Sequence, residues 1–69
     1  MDVRTEMTAN VWQVHVEVGQ SVDAGQLLVI LESMKMEIPV EAPKAGVIKE
    51  VRVKPEDSVQ ENDVLVVLE

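Results

Sequence analysis

The chain has 69 residues, 13 Asp and Glu against 6 Lys and Arg, a formal net charge of −7, one histidine and no cysteine. Disulfides, thiolate metal sites, thiol nucleophiles and histidine-cluster metal sites are thereby excluded, although a domain this small buries only about 60% of the surface its unfolded chain exposes. The acidic balance opposes a polyphosphate partner, so no nucleic acid is expected, and no apolar run approaches the roughly 20 residues of a membrane span.

Fifteen valines, no Phe or Tyr and a single Trp12 favour pleated sheet over helix. Pro39, Pro43 and Pro55 interrupt any long helix. The N-terminus, MDVRTEM, lacks a basic-then-apolar signal pattern. Residues 1–69 are read as one domain, and the absence of thiols suits a cytoplasmic location.

A first short strand is predicted at 2–6. In the second, 11–18, Trp12, Val14, Val16 and Val18 alternate with Gln13, His15 and Glu17, the pattern of a half-buried strand. Trp12, which aligns with Lys49 thirty-seven positions on, is expected at a partly covered core-rim site, and His15 as an ordinary surface residue. A turn segment from Gly19 to Gln26, with a short strand near Val22, leads to the strand 27–33, whose Leu27–Leu31 run is continuously apolar. Such a run implies cover on both faces, and part of its surface is expected to serve as an interface. After a strand at 36–42 comes one at 47–54, where Val51 and Val53 alternate with Glu50, Arg52 and Lys54. A second turn segment, Glu56 to Asp63 with a short strand near Val59, precedes the closing strand 63–69. The fold class is all-β, a flattened barrel or two-layer sandwich.

Shifted by 37 positions, residues 9–32 overlay 46–69 with eight identities in 24 positions, among them Ser21-Val22/Ser58-Val59 and Leu31-Glu32/Leu68-Glu69. Two similar β units packed face to face explain the repeat, since neither could bury its apolar face alone. With a two-fold axis between them, the position equivalent to Lys35 falls beyond Glu69. The Met34-Lys35 connection and the chain termini then lie at opposite ends.

Between the strands 27–33 and 36–42 the connection Met34-Lys35 has no Gly, Asn or Asp. A lysine at a hairpin tip is usually a solvated charge, and methionines flanking it usually fill a core. Against that, a two-residue turn matched to strand twist requires positive φ at both central residues, which Met and Lys resist. A local rule broken once in an otherwise consistent sequence marks a place to look for function.

The segment ESMKMEIPVEAPKAGVIKEV, residues 32–51, resembles the biotinyl-attachment segment of biotin carboxyl carrier proteins and of carrier domains in biotin-dependent carboxylases. M-K-M is the specific part; the related lipoyl domains usually have D-K-A. The resemblance extends over essentially the full chain. It implies a barrel-sandwich hybrid of two four-stranded antiparallel sheets, with biotin joined as an amide to Lys35. It also implies a biotin protein ligase that forms biotinyl-adenylate for the lysine to attack, with Met34 and Met36, then Ser33, Glu32 and Glu37, as ligase-recognition residues. A biotin carboxylase and a carboxyltransferase would then use the loaded carrier.

Departures from the family pattern are Glu6-Met7-Thr8-Ala9, where Pro and Gly are common, and Glu56 and Asn62 in place of turn glycines. Asn62 tolerates a left-handed conformation, whereas Glu56 does so poorly, so its turn is expected to have another shape. The interval Gly19–Gly25 leaves no room for an extra loop, as in the thumbless type.

A free lysine amine titrates near about 10.4, so at pH 7 only on the order of a few parts in ten thousand are neutral. The chain is therefore read as a substrate and carrier, not an enzyme. Lys44, Lys49 and Lys54 lack the methionine setting and are read as solvated. Two rivals remain: a lipoyl carrier of an acyl- or aminomethyl-transfer complex, with lipoate on the same lysine, and an unmodified β-sandwich adaptor.

Overall fold

The computed structural model describes all 69 residues. It contains eight strands and no helix: β1 (Asp2–Arg4), β2 (Ala9–Val14), β3 (Ser21–Val22), β4 (Leu27–Ser33), β5 (Met36–Glu41), β6 (Gly46–Val51), β7 (Ser58–Val59) and β8 (Val64–Leu68). They form two four-stranded antiparallel sheets, ordered β1-β8-β6-β3 and β5-β4-β2-β7. The 37-residue shift converts one order into the other. The duplication also reaches beyond residues 9–32 and 46–69, because β1 is the counterpart of residues 39–41 in β5. In one sheet Val66 pairs with Val3 and Val51; in the other Val29 pairs with Val40 and Val14, so matched valine rows come from the two units.

The strand predicted at 11–18 runs from Ala9 to Val14, and that predicted at 47–54 from Gly46 to Val51. The reason is a bulge in each. The β2–β4 register steps from Val11 to Gln13 and the β6–β8 register from Ile48 to Glu50, leaving Trp12 and Lys49 as the extra residues. The alternation flips there: Ala9 and Val11 are buried, and the inward series resumes at Val14 and Val16. Trp12 is thus partly covered, 44% exposed, and Val18, expected on the inward side of the strand, is exposed as well. Beyond the bulge each strand retains one ladder-like bond, His15 N–H to Leu28 O (2.8 Å) and Arg52 N–H to Leu65 O (2.9 Å), before crossing to the opposite sheet.

Bulges also account for the two apolar runs. Register steps from Leu27 to Val29 against β5, and from Val64 to Val66 against β1, leave Leu28 and Leu65 unpaired. Consecutive side chains then reach the core, and Leu28, Val29, Leu65 and Val66 are all fully buried. On the outer face Ile30 lies in register between Gln13 and Pro39, and Val67 between Asp2 and Glu50. The expected interface along these strands is therefore not needed to cover them.

Four β-turns carry the crossings, each closed by a bond from the fourth residue's N–H to the first residue's carbonyl: Gln20 to Glu17, Gln26 to Asp23, Asp57 to Lys54 and Asp63 to Gln60 (2.9–3.1 Å). In each, the fourth side chain bonds back to the first residue. Gln20 and Gln26 Oε1 and Asp57 and Asp63 Oδ2 accept the N–H of the first residue at 2.8–3.1 Å. The third residues, Gly19, Gly25, Glu56 and Asn62, have φ of 91°, 85°, 78° and 74°, the type II pattern.

The turn at Glu56 is thus the same shape as its glycine counterpart, contrary to expectation. Pro55 presets the second position, the Asp57 clamp closes the turn, and Glu56 N–H bonds to Val11 O at 2.8 Å. Together these hold a glutamate in a region costing an L-residue roughly 1–2 kcal/mol. Glu56→Gly is expected to raise stability by about 1 kcal/mol, read as a higher urea midpoint at unchanged slope. The converse, Gly19→Glu, lowers it by a similar amount through backbone strain alone, since a Cβ at Gly19 meets nothing within 4 Å.

Candidate functional site

Strands β4 and β5 form the longest hairpin, with Leu31 paired to Ile38, Glu32 to Glu37 and Ser33 to Met36. Leu31 is buried in the core and Ile38 packs against it, which fixes the base. Pro39 is tolerated because β5 is an edge strand. At the tip Met34 has φ 53° and Lys35 φ 65°, both positive as the two-residue turn demands and both without a glycine.

Met34 is 91% and Met36 66% exposed, so neither fills the core. Lys35 is exposed as well. Its amine enters no hydrogen bond or ion pair; the chain's two ion pairs are Arg4–Asp2 at 3.1 Å and Arg52–Glu50 at 3.7 Å. Glu32 and Glu37 are exposed and directly opposed across the ladder, a mildly unfavourable arrangement of like charges. Ser33 is half-buried. The six residues singled out in the sequence are therefore contiguous at one protruding tip, with Ser33 the least accessible.

The symmetry-related position of this tip is the pair of chain termini. There Met1 and Leu68 exchange main-chain bonds, Met1 N to Leu68 O at 2.6 Å and Leu68 N–H to Met1 O at 2.7 Å, where the other unit has a closed turn. Tip and termini thus occupy opposite ends of a molecule 31 Å long and 18 × 17 Å across. His15 is exposed, its Nε2 2.7 Å from Gln13 Oε1, and Lys44, Lys49 and Lys54 are exposed without ion pairs.

Met7 and Val18 are exposed apolar residues that sequence reasoning missed as surface features. Trp12, whose alignment with Lys49 in the second unit pointed to a partly covered site, is 44% exposed. Met7 lies in a segment whose buried Thr5 hydroxyl donates to Met7 O (2.8 Å) and accepts Met7 N–H (3.2 Å). No pattern in the sequence announces that local closure.

Two short sheets with one projecting, lysine-tipped hairpin are the architecture of a prosthetic-group attachment domain. The sequence matches the family described as “Biotin-requiring enzyme” over residues 2–68, and the chain belongs to this biotin/lipoyl attachment family. It is 50% identical over 68 residues to the biotin/lipoyl attachment protein of Bacillus subtilis, covering 99% of this chain and 93% of that one. It is 46% identical over 67 residues to the biotinylated protein TB7.3 homolog of Mycobacterium leprae, covering 97% and 94%. Among solved structures, the urea carboxylase of Kluyveromyces lactis superposes with a TM-score of 0.91 at 32% identity, covering 99% of this chain and 6% of that one.

Proposed function

We propose that the chain is a biotin carboxyl carrier domain and that Lys35 is its attachment point. The observation that carries this reading is that, of the four unpartnered lysines, Lys35 alone is held on a strained turn between two exposed methionines. A covalent acyl group fits the residue. The amine is accessible, and none of the three surface depressions is lined by Lys35, so the group attaches outside the barrel. The relatives' names, one biotin/lipoyl attachment protein and one biotinylated protein, support an acylated lysine, and the carboxylase superposition supports the carrier role.

The chain's part in attachment is to present an amine. Lys35 Nζ loses a proton and attacks a carboxyl group activated in a biotin protein ligase; an amide forms, the activating group leaves, and the formal charge goes from −7 to −8. Met34 and Met36 contact the ligase, with Glu32, Glu37 and Ser33 at the margin. A bound biotinyl group supplies a ureido nitrogen that takes up and gives back a carboxyl group. The barrel catalyses nothing itself: it offers a recognisable surface, and the tether keeps the reactive group at high local concentration between a biotin carboxylase and a carboxyltransferase.

Lipoate is the second reading, favoured by the dual description of the Bacillus subtilis relative. Intact mass and peptide mapping, after expression with a biotin protein ligase and with biotin and lipoate both supplied, discriminate the two. One biotinyl increment on the peptide containing Lys35 is expected. A lipoyl increment alone replaces biotin by lipoate, and no increment leaves the adaptor reading.

A further inference from the structure

The pseudo-two-fold lets each surface position be compared with an equivalent one in the same chain. The hairpin end gathers the start of β2, which pairs with both Glu32 and β7 (Asn10 to Glu32 and to Ser58), so the Lys54–Asp57 turn lies against the hairpin base. The Gln60–Asp63 turn lies beside the Thr5–Met7 loop through Asn62 N–H to Thr5 O (2.8 Å). Trp12 shares a depression with Glu32 and Glu56 on the β4 side of the hairpin. Met7, 37% exposed, shares a cleft with Glu6, Leu31 and Ile38 on the β5 side.

At the opposite end the fold fills the equivalent positions differently. Trp12 corresponds to Lys49 and Met7 to Lys44, both exposed. The carboxylates Glu6, Glu56 and Glu61 correspond to Pro43, Gly19 and Ala24, whereas Glu32 corresponds to Glu69 and the cations Arg4 and Lys54 of the hairpin end correspond to Glu41 and Glu17. The same backbone therefore accepts lysines where the hairpin end exposes Trp12 and Met7, and uncharged residues at three positions where it carries acids. Nothing in the packing calls for the apolar, acid-rimmed version. Leaving a tryptophan in water also forgoes part of its burial energy.

We propose that Trp12 and Met7, on either side of the hairpin base, form with this carboxylate rim a docking face for the enzyme that acylates Lys35. The proposal rests on the reading of Lys35 given above. The partner surface is one with an apolar recess for an indole ring, bordered by Lys and Arg, next to its active site. Charge complementarity selects a basic partner, since the rim carboxylates Glu6, Glu32, Glu56 and Glu61 outnumber the cations Arg4 and Lys54 beside them. An aromatic anchor surrounded by a charged rim is the arrangement in which binding energy concentrates. Glu32 lies three residues from Lys35, about 10 Å along a strand, within the footprint of an enzyme that must also reach the amine.

The test uses the full chain with a biotin protein ligase, ATP and biotin, varying the carrier concentration. Trp12→Lys and Met7→Lys install the residues that the symmetry-related positions already hold. Val18→Lys makes the same charge change on an exposed apolar residue at the far end. Trp12→Lys is expected to raise KM about tenfold and Met7→Lys about threefold, with kcat within about twofold. Val18→Lys should behave as the parent. Raising salt from about 0.05 M to about 0.5 M should raise the parent's KM by screening the rim.

A parental KM for Trp12→Lys, with an unchanged melting curve, overturns the proposal. Should Trp12→Lys melt early, the KM of Met7→Lys decides in the same way. A parent chain that takes no biotinyl group refutes the reading of Lys35 instead.

Discussion

Lys35→Arg is expected to abolish biotinyl incorporation completely, seen as no mass increment and no retention on avidin, while the unfolding free energy from urea titration stays within about 0.5 kcal/mol of the parent. The substitution keeps the positive charge and much of the aliphatic stem, so it leaves the electrostatics of the tip nearly unchanged. What it removes is nucleophilicity, because a guanidinium does not lose its proton under these conditions. The other three lysines are exposed and unpaired too, so bare accessibility does not single out Lys35. A general acylation of amines would continue on Lys44, Lys49 and Lys54 in the variant. Residual incorporation mapped to those peptides would therefore show that the hairpin is not what the ligase reads. The adaptor reading makes a third forecast, an unmodified parent and an equally functional variant.

The hairpin was legible because its signal is local. Two strand runs, a two-residue gap and a lysine between methionines specify a turn whose dihedral demands can be stated from the sequence, and both φ values are positive as those demands require. The two-sheet duplication was legible because valine order repeats at a fixed interval. Strand ends and faces were not. The bulges at Trp12 and Lys49, and at Leu28 and Leu65, each insert one residue and invert the alternation beyond it. A period-two reading cannot locate such a step when the residues on both sides are apolar. Glu56 defeated the reading for another reason. Propensity disfavours its φ, but the flanking Pro55, the Asp57 clamp and the bond to Val11 together outweigh a penalty of roughly 1–2 kcal/mol.

Those same bulges locate the residues on which the fold depends most. Leu28→Ala and Leu65→Ala are each expected to cost about 3–5 kcal/mol, because both side chains are wholly buried and the rigid surroundings close only partly around the void. A domain of this length has on the order of 3–10 kcal/mol in total, so either change leaves a large unfolded fraction near physiological temperature. Symmetry adds a sharper requirement. The two leucines occupy equivalent bulges in opposite sheets, so their costs should agree more closely than the roughly 2 kcal/mol over which leucine-to-alanine costs spread between unrelated sites. Ile30→Ala, a half-buried residue on the outer face of β4, should cost visibly less. Urea midpoints decide both comparisons. Biotinylation rates then separate global from local effects, since Leu28 lies on the strand leading to the tip and Leu65 in the other sheet. Rates that fall in both variants only in proportion to the folded fraction mean that the hairpin moves with the barrel as one rigid body. A further loss confined to Leu28→Ala would mean that the amine is aimed by its own sheet alone.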